Sequence, residues 1–104
     1  MKVGIAGCGG IGSNVAYHLI RSGVLDFCVG DFDFVEETNL NRQFYFHDQI
    51  GRKKASCLEE NLKRISPQAR IKAEVIRFDK ENILSFFKEC DIIVEAFDKK
   101  ESLK

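Results

Sequence analysis

The sequence predicts a three-layer α/β domain on a mostly parallel sheet, and three observations carry that prediction. Short apolar runs alternate with stretches of helical period. A glycine cluster, GCGGIG from Gly7 to Gly12, separates the first apolar run from the first helical one. The second and fourth apolar runs end in acidic residues, at Asp31 and Asp33 and at Asp98. Strand–helix–strand units cross over right-handedly, which packs helices onto a parallel sheet.

The elements follow in order. KVGIA, residues 2–6, is a short apolar strand. Beyond the glycines, Ile11, Val15, Ala16, Leu19 and Ile20 recur at helical spacing, and Gly23 suits the end of that helix. DFCVGDFD, residues 26–33, reads as the second strand. Residues 34–50 hold no sustained period and predict an ordered excursion with short helical turns. From Arg52 the period returns, so that Ala55, Leu58, Leu62 and Ile65 share a face, and Pro67 helps stop the helix. ARIKAEVIRF, residues 69–78, alternates in part and predicts a third strand less buried than the others. Asp79 is placed to cap a short helix, KENILSFFKE, with Ile83, Leu84 and Phe87 as its apolar face. CDIIVEAFD, residues 90–98, is the fourth strand, and KKESLK after it suits the start of another helix. The expected spatial order is 3-2-1-4. Ligand then sits at the carboxyl ends of the strands, near the reversal between the first and fourth.

Composition narrows the function classes. A chain of 104 residues is one domain, 1–104, with a modest core. Lys plus Arg and Asp plus Glu number 16 each, so the formal net charge is zero and no basic excess points to nucleic acid. The apolar runs fall far short of a membrane span. MKVGIAG passes straight into strand and glycine loop without the apolar core of a secretory signal, so a cytoplasmic location is expected. Cys8, Cys28, Cys57 and Cys90 form no CxxC pair, and neither His18 nor His47 has a ligand pattern beside it. Cys28 and Cys90 read as small core residues. Cys8 stands out only by interrupting the glycine loop, with no base near it in sequence.

The glycines fit GxGxxG. Gly7 permits a tight turn, Gly9 lets phosphate approach the backbone, and Gly12 allows close helix–strand packing; Gly10 belongs to the same loop. The helix that follows offers free N–H groups and a favourable dipole to phosphate. Asp31, 19 residues beyond Gly12, is placed to accept ribose hydroxyls. Strand, loop, helix and acid together make a Rossmann-like nucleotide-binding unit. No GKS or GKT follows, so this is not the P-loop of NTPases.

The residues after the second strand separate the possible uses of a nucleotide. Asp31 and Asp33 point the same way if the chain stays extended, though a turn would separate them. Arg42 and Lys54 follow, and Asp98 lies at the next ligand-facing edge. Positive groups there stabilise a triphosphate or a leaving pyrophosphate, and a carboxylate can hold magnesium. Hydride transfer needs none of this phosphate machinery.

At these residues the sequence resembles the ThiF/MoeB/ubiquitin-activating family of ATP-dependent adenylyltransferases. The matching blocks are GCGGIGSNVAYHLIRSGV, GDFDFVEETNLNRQFYF, DQIGRKKA, NLKRISPQARI and CDIIVEAFDKKES, in the family's order over nearly the whole chain. EAFDKKE is most similar to the compact ThiF-like branch associated with thiamine biosynthesis. The resemblance implies that Asp31 binds the ATP ribose, that Asn39 and Arg42 organise the nucleotide and its phosphates, and that Lys54 neutralises charge near the α-phosphorus. It implies that Asp98 positions Mg2+ and that Gln43 and Asp33 belong to the pocket, where local capping and loop hydrogen bonds explain them equally well. Arg52 and Lys53 fall on unspecified positions of the motif, where a surface role fits at least as well as an active one.

The implied reaction is adenylation of the C-terminal glycine carboxylate of a ubiquitin-like, ThiS-like sulfur carrier protein, with release of pyrophosphate. A homodimer is implied as well. Members of the family usually continue well beyond this length, so the chain is expected to be a fragment or a short form. Two other readings of the residues stay open: the nucleotide domain of an NAD-dependent oxidoreductase, and a non-catalytic nucleotide-binding or carrier-docking domain. The cluster Phe44, Tyr45 and Phe46 is either a contact surface or packing for the excursion.

Overall fold

A glycine turn and three parallel pairings fix the frame of the domain. The computed structural model describes residues 1–97, so Asp98 and KKESLK lie outside the described residues. The strands are β1 (Lys2–Ala6), β2 (Asp26–Asp31), β3 (Arg70–Val75) and β4 (Ile92–Glu95), and the helices are α1 (Gly10–Arg21), α2 (Lys54–Ile65) and α3 (Asn82–Phe86). The sheet order is β3-β2-β1-β4, as the sequence predicts, and all three pairings are parallel. Two 3₁₀ turns, Glu37–Asn39 and His47–Gln49, shape the excursion between β2 and α2.

Alternation along the strands divides the core in two. Val3, Ile5, Phe27 and Val29 face α1 and α2, where Ala16, Ile20, Leu58 and Leu62 close over them. Ala6 and Cys28 face the other way, onto Phe78 and the α3 residues Ile83 and Phe86, with Phe87 beside them. The domain is therefore helix, sheet, helix. Each large apolar side chain buried this way contributes about 1.5–3 kcal/mol.

Several expectations are corrected. Ile11 was placed on the apolar face of the first helix, but it is 64% exposed. It sits in the first turn of α1, whose buried residues are Gly12, Ser13, Ala16 and Ile20. Leu84 is exposed as well, because the last helix runs only Asn82–Phe86 and turns Ile83 and Phe86 inward instead. Asp79 accepts N–H bonds from Glu81 and Asn82, at 2.9 and 2.8 Å, but the helix N-cap is Glu81, so Asp79 secures the turn before the helix rather than its cap. The second strand ends at Asp31 rather than Asp33.

The two sheet edges differ in character. β3 presents exposed Arg70, Lys72 and Glu74, in keeping with its partial alternation, and Arg70 pairs with Asp26 at 2.7 Å. β4 presents exposed Ile92 and Ile93.

A buried amide pair locks the excursion onto α2. Gln49 Nε2 donates to Asn61 Oδ1 at 2.7 Å, and Asn61 Nδ2 donates to Gln49 Oε1 and to the Phe44 carbonyl, both at 3.0 Å. Both residues are 1% exposed. Asn61→Ala is expected to lower stability by about 2 kcal/mol, because it removes the acceptor of the buried Gln49 Nε2–H and the donor to the Phe44 carbonyl, while Gln49 Oε1 keeps only the Phe46 N–H. Urea denaturation checks this; an unchanged midpoint would remove the pair from the account of the loop.

Candidate functional site

The site grows from one turn. Gly7 ends β1 with φ of +99°, a conformation that side chains disfavour, and its N–H bonds to the Gly30 carbonyl at 2.9 Å. The chain then doubles back so closely that a Cβ on Gly12 would overlap the Gly7 carbonyl. α1 starts at Gly10, with Gly9 as a cap that has no side chain to satisfy the first-turn donors. Among the described residues, Gly9 N–H and Gly10 N–H donate to no protein acceptor. Free donors and the helix dipole make this end of α1 attractive to an anion.

Asp31 anchors the turn from below. It is 5% exposed, and its two oxygens accept Cys8 N–H at 2.6 Å and Asp33 N–H at 2.7 Å. The second bond bends the chain after β2, so the two acids are separated by a turn instead of continuing a strand.

The excursion returns two cations to the glycine loop. Asn39 is buried, and its Oδ1 accepts Glu36 N–H at 2.8 Å. Its carbonyl accepts the N–H of Arg42 at 3.2 Å and of Gln43 at 2.9 Å, so Asn39 shapes the turn that presents both. Asn14 on α1 secures this turn by donating to the Arg42 carbonyl at 2.6 Å. The Arg42 guanidinium is exposed and rests on the Thr38 carbonyl at 3.0 Å. Farther on, Lys54 N–H donates to the Asp33 carbonyl at 2.9 Å, which starts α2 beside the loop. Lys54 is 7% exposed, and among the described residues no carboxylate pairs with it.

These groups surround a cavity of about 240 Å³. Gly9, Gly10 and Ile11 form one wall, Arg42, Gln43 and Lys54 another, and Ala96 and Phe97 close the side beyond β4. A Cβ on Gly9 would stand 4.0 Å from Lys54 Nζ and 3.9 Å from Gln43 Nε2, so the bare backbone there admits a ligand between loop and cation. Gln43 Oε1 is buried without a partner among the described residues. The lining has two cations, exposed loop donors and no described carboxylate, which is a place for an anion. A wider depression of about 540 Å³ at the amino-terminal ends of the strands holds the Arg70–Asp26 pair and none of these groups.

Two neighbours complete the loop. Cys8 is fully buried; burial pushes its thiol well above the usual range, and its Sγ rests 3.7 Å from the Gly30 carbonyl. Its thiol is thus held protonated and inside the core, where it packs beneath the loop. Tyr45, also buried, donates its hydroxyl proton to the Cys8 carbonyl at 2.6 Å.

Of the residues singled out in the sequence, Gly9, Gly10, Arg42, Gln43 and Lys54 meet at the cavity. Gly7, Gly12, Asp31, Asp33 and Asn39 support it from outside its lining, and Asp98 lies outside the described residues. Sequence reasoning missed Ile11, Ala96, Phe97 and Tyr45. The position of Ala96 and Phe97 just past a strand's carboxyl end was the available signal for those two.

The family model for ThiF matches residues 1–103. The chain belongs to the ThiF family. It is 34% identical over 98 residues to a sulfur carrier protein adenylyltransferase of Thermus thermophilus, covering 93% of this chain and 36% of that protein. It is also 34% identical over 101 residues to the sulfur carrier protein ThiS adenylyltransferase of Bacillus subtilis, covering 94% and 30%. The chain thus spans about a third of the length of these curated relatives. The E. coli tRNA N6-threonylcarbamoyladenosine dehydratase TcdA, solved with AMP and with ATP, superposes with a TM-score of 0.88 at 28% identity, over 94% of this chain and 41% of that one. Among the described residues, no helix of this ThiF-family domain is long and apolar enough to cross a membrane.

Proposed function

We propose that this ThiF-family domain binds ATP at the glycine loop as the nucleotide-binding part of an adenylyltransferase. The observation that carries the reading is the convergence of free loop N–H groups with Lys54 and Arg42 around one cavity. The substrate class is the C-terminal glycine carboxylate of a ubiquitin-like sulfur carrier. A carboxylate oxygen attacks the α-phosphorus, the bond to the pyrophosphate oxygen breaks, and acyl-adenylate and pyrophosphate result. The attacking group is already anionic, so alignment and charge stabilisation suffice.

Lys54 and the loop N–H groups hold the phosphates, and Arg42 stabilises charge on the departing pyrophosphate. Each Asp31 oxygen keeps a lone pair beyond its present N–H bond, and a ribose hydroxyl would have to reach past the loop to use it, since Asp31 is buried outside the cavity lining. Asn39 and Asp33 act by shaping the walls. Magnesium would neutralise phosphate charge, with Asp98 as its residue by family resemblance. Among the described residues no three acidic, histidine or cysteine side chains converge on a metal position. The likeness of EAFDKKE to the compact ThiF-like branch, together with the ThiS adenylyltransferase of Bacillus subtilis, supports a ThiS-like carrier as the finer form of this reading; thiamine biosynthesis and a homodimer belong to it by family resemblance alone.

Calorimetric titration with Mg-ATP and, separately, NAD tests the proposal. Saturable binding of ATP with little binding of NAD is expected. Preference for NAD would turn the site over to an oxidoreductase, and tight ATP binding without carrier-dependent release of pyrophosphate in a full-length relative carrying these residues would make it a binding module.

A further inference from the structure

We infer that Tyr45 is a positioning residue of the phosphate loop: its hydroxyl holds the Cys8 carbonyl inward and so turns the Gly9 N–H outward to the phosphates. The inference deepens the ATP reading and rests on it. In a trans peptide the carbonyl and the next N–H point in opposite directions, and the described chain has no cis bond. Tyr45 is 5% exposed and Cys8 fully buried, so a carbonyl bonded to this hydroxyl points into the core. The partner N–H of that peptide belongs to Gly9, which lines the cavity. The preceding peptide is held as well, through Cys8 N–H on Asp31 at 2.6 Å. Two consecutive peptide planes are therefore fixed just ahead of Gly9 and Gly10, where a glycine backbone would otherwise rotate freely.

The hydroxyl also lies 3.4 Å from the Lys54 carbonyl, but its single proton goes to the shorter contact, the Cys8 carbonyl at 2.6 Å. Without it, the Cys8 carbonyl stays buried and unsatisfied or rotates toward water. Rotation would aim an oxygen at the phosphates and withdraw a donor. On this proposal Gly9 N–H would donate to a charged acceptor, so its loss should weaken ATP by about ten-fold. Adenosine has no phosphate and should be unaffected.

The test follows backbone amide resonances during titration of the chain, and of Tyr45→Phe, with Mg-ATP and with adenosine. In the unsubstituted chain ATP should shift the Gly9 amide strongly. In Tyr45→Phe the ATP affinity should fall about ten-fold with adenosine affinity retained. Equal ATP affinities, or equal losses for ATP and adenosine, would overturn the inference and leave Tyr45 a packing residue. If Tyr45→Phe does not fold, the unsubstituted chain still decides: a Gly9 amide unmoved by bound ATP overturns it. A chain that binds no ATP overturns the nucleotide reading itself.

Discussion

Replacing Asp31 with alanine is expected to lower stability by roughly 3–5 kcal/mol and to abolish nucleotide binding. The carboxylate is buried and accepts two backbone N–H groups, from Cys8 and from Asp33. Hydrogen bonds to a charged acceptor are worth about 1.5–3 kcal/mol each, and the orphaned donors add their own desolvation cost. The loop would lose its floor and the turn after β2 its closure, so binding and stability fall together. Asp31→Asn keeps one acceptor but faces one donor with an amide N–H, and should fall between the two. Denaturant midpoints with ATP titrations check both variants. A stable Asp31→Ala chain that still binds ATP would show that the glycines hold their shape unaided.

Lys54→Met should behave in the opposite sense. Its ammonium is buried with no described carboxylate partner, and a buried charge is costly to keep. Methionine fills similar volume without that cost, so stability should hold or rise. ATP affinity should fall by about a hundred-fold, in line with the roughly 3 kcal/mol lost when a desolvated ionic contact to a phosphate is removed. Calorimetry and thermal denaturation on one preparation separate the two effects. A variant that loses stability as well would mean that Lys54 holds the fold together through its position at the start of α2. Unchanged affinity would remove it from the phosphate site.

The architecture was legible because each element carries its own periodic signal. Ala55, Leu58 and Leu62 recur with the helix and are buried together; Val3 and Ile5 alternate with Gly4 and Ala6 and divide the two faces of the sheet. The loop was legible because glycine at Gly7 and Gly12 answers a backbone requirement visible in the spacing alone. Periodicity misled where an apolar residue lies outside the region its helix covers: Ile11 repeats with Val15 yet stands at the mouth of the cavity. Tertiary hydrogen bonds left no trace. Nothing in the order of residues joins Gln49 to Asn61, or the Tyr45 hydroxyl to a carbonyl far back in the chain. The acids after β2 show the same limit, since their orientation depends on a bond between Asp31 and the Asp33 N–H rather than on strand alternation.

The unlike margins of the sheet bear on how the polypeptide behaves in solution. The β3 margin carries exposed Arg70, Lys72 and Glu74, charges that a second strand laid against it would have to desolvate. Among the described residues the β4 margin carries charge only at its ends, at exposed Asp91 and Glu95, and between them Ile92 and Ile93 are exposed on the outermost strand. Concentrated samples of these residues alone would thus associate along one flank and resist association along the other. A single lysine in place of Ile93 would impose on the more apolar flank the restraint that its counterpart already has.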